Sequence, residues 1–171
     1  MSIRDTLAGI CLGLLATAGL AAAASLNPAD RQFLQTAARD DMTEANQAEI
    51  AESQATRSDV KDLARMVDQD HKDSYWHVSE LASKTGVTIP KGINSSRDTA
   101  IVGLRHLKGN QFDSQFARDQ IAADQREIAL FKREADHGQD SDVKAYAAKM
   151  LPVLEKHLHL AEECTKPGRH S

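Results

Sequence analysis

Between Val60 and Ala82 the apolar residues Val60, Leu63, Ala64, Val67, Val78, Leu81 and Ala82 recur by threes and fours. That spacing puts them on one face of an α-helix. The stretch from Ser58 to Lys84 is therefore expected as one long helix. In the middle of its apolar face, where Leu or Ile would fit, stand Asp70 and His71. Burying such groups is costly, so a helix of this kind needs neighbours with polar groups at the same level.

The rest of the chain supplies three more helices. Aromatics make up only 4% of the 171 residues, Ala is abundant, and Gly and Pro sit mainly at segment ends. This favours helices over a sheet. A first helix opens at Asn27 or Asp30, has Pro28 in its first turn and runs to about Thr56. Its stripe is Phe33/Leu34, Ala37, Asp41, Glu44, Ala48, Ala51 and Ala55. Ser58 is expected to cap the second helix and Gly86 to stop it. Val87 to Gly92 reads as extended because Pro90 disfavours helix at Ile89. Ser95 or Ser96 opens a short helix to Leu107, with Ile101, Leu104 and Leu107 inward, and Gly109 ends it.

A third long helix is expected from near Asn110 to His137, stopped by Gly138. Its stripe is Ala117, Ile121, Asp124, Ile128, Phe131 and Ala135, flanked by Phe112 and Phe116. Ser141 is expected to cap the fourth, whose stripe is Val143, Ala147, Met150, Leu154, His157 and Ala161. Pro152 should kink it. The two halves echo each other. Ser58-Asp59-Val60-Lys61 recurs as Ser141-Asp142-Val143-Lys144, and Phe33 with Ala38-Arg39-Asp40 recurs as Phe112 with Ala117-Arg118-Asp119. Each half reads as a helical hairpin, and two hairpins bury each other's apolar faces as a four-helix bundle.

The N-terminus reads as an export signal. Arg4 lies in a short leading segment, Leu7 to Leu20 is apolar, and Ala21 to Ala24 offers small residues for cleavage. This gives a signal peptide over residues 1–24, a bundle domain over 25–165 and a loose tail over 166–171. A periplasmic or envelope location follows. Only an uncleaved signal segment would touch a membrane, since the apolar run is short for a span. Cys11 would leave with the signal. Cys164 then remains as a lone thiol, read as inert near a frayed end rather than as an intermolecular bridge. The net charge of -4, with signs interspersed, gives no nucleic-acid footprint. A homo-oligomer is compatible with these features, and no partner is specified.

Each long helix carries an acid or an imidazole on its apolar stripe: Glu44, Asp70 with His71, Asp124 and His157. Glu44 and His71 lie about equally far from the first hairpin turn, and Asp124 and His157 about equally far from the second. All can meet at the waist of the bundle. Facing carboxylates and imidazoles are how bundle metal sites are built. Mixed ligands of this kind suit zinc, iron or copper better than calcium. The same residues also suit an ion-free polar cluster that sets helix register.

Other candidates are weaker. Asp68 stands three residues before His71 but toward solvent. His157 and His159 point apart on a helix, and His106, His137 and His170 read as surface or loop residues. Asp119, Asp124 and Glu127 could form an acid pair for hydrolysis, but nothing marks a substrate cleft. No catalytic constellation is found, so an enzyme is not expected. Tyr75 and Trp76 read as core or rim packing, with a partner-facing patch on a mixed-charge exterior as the alternative.

Several of these segments resemble one family. They are Phe33-Leu34-Gln35-Thr36-Ala37-Ala38, Val60-Lys61 with Leu63-Ala64 leading to Asp70-His71, and Gly86-Val87-Thr88-Ile89-Pro90. Phe112-Asp113, Val143-Lys144-Ala145-Tyr146-Ala147 and Leu151-Pro152 with Leu154 and His157-Leu158 complete the set. In order and spacing, from about Asp30 to Glu163, the chain resembles the DUF4142 family of exported bacterial proteins of unknown function. The resemblance implies an all-α, ferritin-like antiparallel bundle in the periplasm or envelope. Family members commonly carry Asp-His on the third helix too; here Asp124-Gln125 stands there.

Overall fold

The computed structural model describes residues 26–93 and 101–166. The expected signal segment, the expected helix start at Ser95 or Ser96 and the end of the expected tail, His170 included, lie outside the described residues. Four long helices dominate: α1 (Pro28–Gln54), α2 (Ser58–Thr85), α3 (Gly109–His137) and α4 (Ser141–Cys164). A short helical stretch over 101–105 lies in the link, with Ile101 and Leu104 buried. No helix among the described residues is long and apolar enough to cross a membrane.

The stripes on α1, α2 and α4 are buried as their spacing requires. On α3 the buried face is rotated from expectation. Ile121, Ile128 and Ala135 are only partly covered, whereas Gln120, Ala123, Glu127 and Glu134 are buried. The inward side of α3 is thus more polar than its apolar pattern suggests.

α1 packs along α2 and α3 along α4, while α1 also faces α3 and α2 faces α4. Two buried carboxylates fix this arrangement. Asp113, near the start of α3, accepts from the backbone N–H groups of Thr56 and Arg57 at 3.0 and 3.1 Å and from the Thr56 hydroxyl at 2.5 Å. Asp30, near the start of α1, accepts from the N–H groups of Gln139 and Asp140 at 3.2 and 2.8 Å. Each acid satisfies the orphan donors of the opposite hairpin's turn. Facing helices are therefore antiparallel, and the link from Thr85 to Gly109 must run the length of the bundle. This is the ferritin-like arrangement.

These contacts revise the internal repeat. Asp30 and Asp113, Phe33 and Phe116, Asp41 and Asp124, Glu44 and Glu127, and Ser58 and Ser141 are each 83 positions apart. The partner of Phe33 in the repeat is thus Phe116, one turn beyond Phe112. Phe33 stacks edge-on against Phe131, and Phe112 lies parallel to Phe116, at opposite ends of the bundle.

The caps differ in part from expectation. Asn27 caps α1, accepting from Ala29 and Asp30, and α1 ends at Gln54. The position before α2 is Arg57, which has no side-chain cap bond because Asp113 does that work from outside. Asp140 rather than Ser141 caps α4, accepting from Asp142 and Val143 at 3.0 Å. A carboxylate is the better acceptor at the positive end of a helix. α2 ends on Gly86 at φ 69°, a left-handed conformation suited to glycine, with the Val87 N–H closing onto Ala82. α4 is helical on both sides of Pro152.

Two further expectations are corrected. Trp76 is 58% exposed and stacks edge-on against His77 rather than packing inward. Cys164 is buried, and its carbonyl accepts from Arg57 Nη1 at 2.8 Å, so the end of α4 is tied down rather than frayed. Burial pushes its thiol up to about 11, which keeps it unreactive.

Candidate metal centre

The apolar core has two parts. One, around Phe33, Leu34, Val78, Phe131, Tyr146 and Leu154, fills the end near Asp30. The other, around Ala51, Val60, Leu63, Phe112, Phe116 and Ala161, fills the end near Asp113. Between them lies a polar layer built by all four helices. α1 gives Asp41 and Glu44, α2 gives Asp70, His71 and Ser74, α3 gives Gln120, Asp124 and Glu127, and α4 gives Tyr146 and His157. All but Asp70 are buried.

The layer is organised around its two imidazoles. Asp41 Oδ1 holds His71 Nδ1 at 2.9 Å, and the other Asp41 oxygen accepts from Ser74 Oγ at 2.9 Å. Ser74 has given its only proton, so the Tyr146 hydroxyl 2.5 Å away donates to it. The His71 ring is thus locked, with Nε2 aimed into the layer. That nitrogen has no hydrogen-bond partner among the described residues and stands 3.7 Å from Glu44 Oε2. Gln120 Nε2 donates to the same Glu44 oxygen at 2.9 Å. Glu127 closes the group, and its Oε1 has no hydrogen-bond partner among the described residues. One ligand atom from each of Glu44, His71 and Glu127 lies within 4.8 Å of the others.

His157 is placed in a similar way. Asp70 Oδ2 holds its Nε2 at 2.9 Å, while Nδ1 faces Asp124 Oδ1 at 3.9 Å without a hydrogen bond. Neither oxygen of Asp124 has a hydrogen-bond partner among the described residues. The two rings are 5.5 Å apart.

The protonation of the layer follows from burial. Burial pushes the Asp124 carboxyl up to about 8, and the Glu44 charge adds to this. Burial also raises Glu127, helped by the charge of Glu44 and a hydrogen bond to it, and it raises Asp41 against the opposing pull of His71. Burial alone would lower His71, but the carboxylates of Glu44, Asp41 and Asp124 carry it up to about 9. His157 is lowered by burial and by the nearby His71 charge, despite Asp70. The layer holds more carboxyl groups than imidazolium charge, so protons or a cation must make up the difference.

The structure therefore brings all five sequence-derived residues, Glu44, Asp70, His71, Asp124 and His157, to one level. It places Asp70 at the rim, bonded to an imidazole rather than aimed at the centre. Asp68 pairs with Lys72 at 2.8 Å and is partly buried rather than turned to solvent, whereas His159 is exposed. Glu127 was absent from the sequence-derived set, and so was Asp41 in its role of orienting His71. A signal for both was present. Asp41 and Glu44 stand three apart, as do Asp124 and Glu127, and this spacing recurs at the interval that relates the two hairpins.

Comparison with known proteins agrees with this architecture. The crystal structure of a DUF305 fragment from Deinococcus radiodurans is similar, with a TM-score of 0.74 at 16% identity over 82% of this chain and 97% of that one. At that identity the likeness concerns the fold alone. No curated protein matches the sequence. The family profile described as Domain of unknown function (DUF4142) matches residues 15–164, and the chain belongs to that family.

Proposed function

We propose that this protein is an exported helical bundle that binds a divalent transition metal between Glu44, His71 and Glu127. One observation carries the reading. One ligand atom from each of three helices converges within 4.8 Å, and on two of these side chains an atom, His71 Nε2 and Glu127 Oε1, is buried with no hydrogen-bond partner among the described residues. A divalent ion would satisfy both and would supply the positive charge that the carboxylates otherwise obtain from protons. The donor set, one imidazole with carboxylates, suits zinc, iron or copper. Asp41 behind His71 is the usual orienting partner of a ligating imidazole. Export is supported by the apolar segment from Leu7 to Leu20 and the small residues after it. The proposed role is binding, without a catalysed reaction.

The test is metal analysis of untagged protein loaded with zinc and dialysed, together with fractionation of the host cell. Close to stoichiometric metal in the wild type, lost in His71→Ala, is expected. Less than a tenth of an equivalent would end the metal reading. Protein confined to the cytoplasm would end the export reading.

A second reading, a non-catalytic envelope protein acting through its surface, is favoured by the exposed Trp76 ring beside His77. A pull-down that enriches an envelope partner and loses it in Trp76→Ala would support it. An unchanged pull-down would remove it.

A further inference from the structure

The two imidazoles of the polar layer have the same kind of surroundings. Each is held through one ring nitrogen by a carboxylate at 2.9 Å, His71 by Asp41 and His157 by Asp70. Each turns its other nitrogen, buried and without a hydrogen bond, toward a second carboxylate. The separations are 3.7 Å for His71 and Glu44 and 3.9 Å for His157 and Asp124. These are too long for hydrogen bonds. They do fit two ligands on one ion, since bonds of about 2.1 Å place neighbouring ligand atoms about 3 to 4 Å apart.

On the His157 side the unmet demand is greater. Both oxygens of Asp124 and Nδ1 of His157 are buried with no partner among the described residues, and both side chains have no solvent exposure. A carboxyl and an imidazole that only set helix register would be expected to bond to each other. Because the Asp70 carboxylate accepts the Nε2 proton, the Nδ1 lone pair is left facing Asp124.

We propose that Asp124 and His157 hold a second divalent cation beside the Glu44–His71–Glu127 position, with Asp70 as the positioning residue that fixes the His157 ring. The proposal rests on the metal-binding reading of the first position and adds to it a two-ion centre. Asp70 is the least buried member of the layer, with a side-chain exposure of 36%.

The experiment is titration of the untagged protein with Co2+, followed by visible absorption and by metal analysis after equilibrium dialysis. Wild type is expected to bind two equivalents. Asp124→Asn should bind one. Asp70→Asn should keep both but bind the second about 10- to 100-fold more weakly. One equivalent in the wild type, or two that are undiminished in Asp124→Asn, overturns the second position. If that single equivalent is lost in His71→Gln and kept in Asp124→Asn, the first position stands alone. No binding in the wild type removes both. Should Asp124→Asn fail to fold, as judged by circular dichroism, Asp70→Asn at the rim carries the test. Unchanged affinity for the second ion there overturns the proposal.

Discussion

His71 Nδ1 lies 2.9 Å from Asp41 Oδ1, and both side chains are almost wholly buried. The contact fixes which ring nitrogen faces the centre of the bundle. A carboxylate accepts the Nδ1 proton, so Nε2 points toward Glu44 and Glu127. Asp41→Asn keeps the shape but removes the charge, and its amide can turn a donor toward the ring. We expect zinc affinity to fall about 10- to 100-fold. The metal-free protein should lose about 1–3 kcal/mol of stability, since a buried hydrogen bond to a charged group is lost. Competition with a chromophoric chelator reads the first and urea unfolding the second. Unchanged affinity would show that the Asp41 contact does not orient a ligand.

The protonation of the layer sets a pH dependence with a definite sign. Asp124 is raised from 3.8 to about 8 and His71 from 6.5 to about 9. Between the ordinary and the folded values the folded chain holds protons that the unfolded chain has released, so stability falls as pH rises. His157, lowered by burial, acts in the opposite sense, with its effect below about its ordinary value of 6.5. Glu134, raised to about 7 by burial and by Asp30, adds a fall between 4.5 and 7. The window from pH 7 to 9 therefore isolates the centre. In a chelator the melting temperature should drop across that window, and added zinc should raise it more at pH 9 than at pH 7, because the ion replaces protons. At a free concentration 100 times the dissociation constant the gain is about 2.7 kcal/mol. A melting temperature that climbs from pH 7 to 9 without metal would contradict the proton assignment.

Asp30 and Asp113 perform the same task at opposite ends of the bundle. Each feeds a buried carboxylate to two backbone N–H groups in the other hairpin's turn. Replacing either with Ala leaves those donors without their partner and should cost about 1–3 kcal/mol. Because the two sites are far apart, the double variant should lose close to the sum. The urea midpoint should shift with the slope unchanged. A cost below about 0.5 kcal/mol for both would show that water replaces these carboxylates freely.

Much of this fold was legible in the sequence, because packing in a bundle is written in spacing. Val60, Leu63, Ala64 and Val67 could only form one helical face, and Gly86 could only end it. The polar level was legible too, since Glu44, His71, Asp124 and His157 interrupt apolar stripes at matching depths. The inner face of α3 was less so. Gln120 and Glu127 are polar, and apolar periodicity gives a polar residue no inward direction. Ile121 and Ile128 pulled the expected stripe toward a side that the packing leaves half-covered. The cap before α2 is not legible from the local sequence, because its acceptor, Asp113, is remote in the chain and is brought in only by the antiparallel docking of the hairpins. Trp76 reads in the sequence as core or rim packing, with a partner-facing patch as the alternative, and its position on α2 faces outward.

The central claim is that a metal ion belongs among Glu44, His71 and Glu127. The most direct measurement is anomalous X-ray diffraction from crystals of the untagged protein grown with zinc, collected on both sides of the zinc absorption edge. We expect an anomalous peak about 2.0–2.2 Å from His71 Nε2 and from an oxygen of Glu44 or Glu127. An ordered zinc-grown crystal with no anomalous density there, and with His71 Nε2 hydrogen-bonded to water or carboxylate, would contradict it.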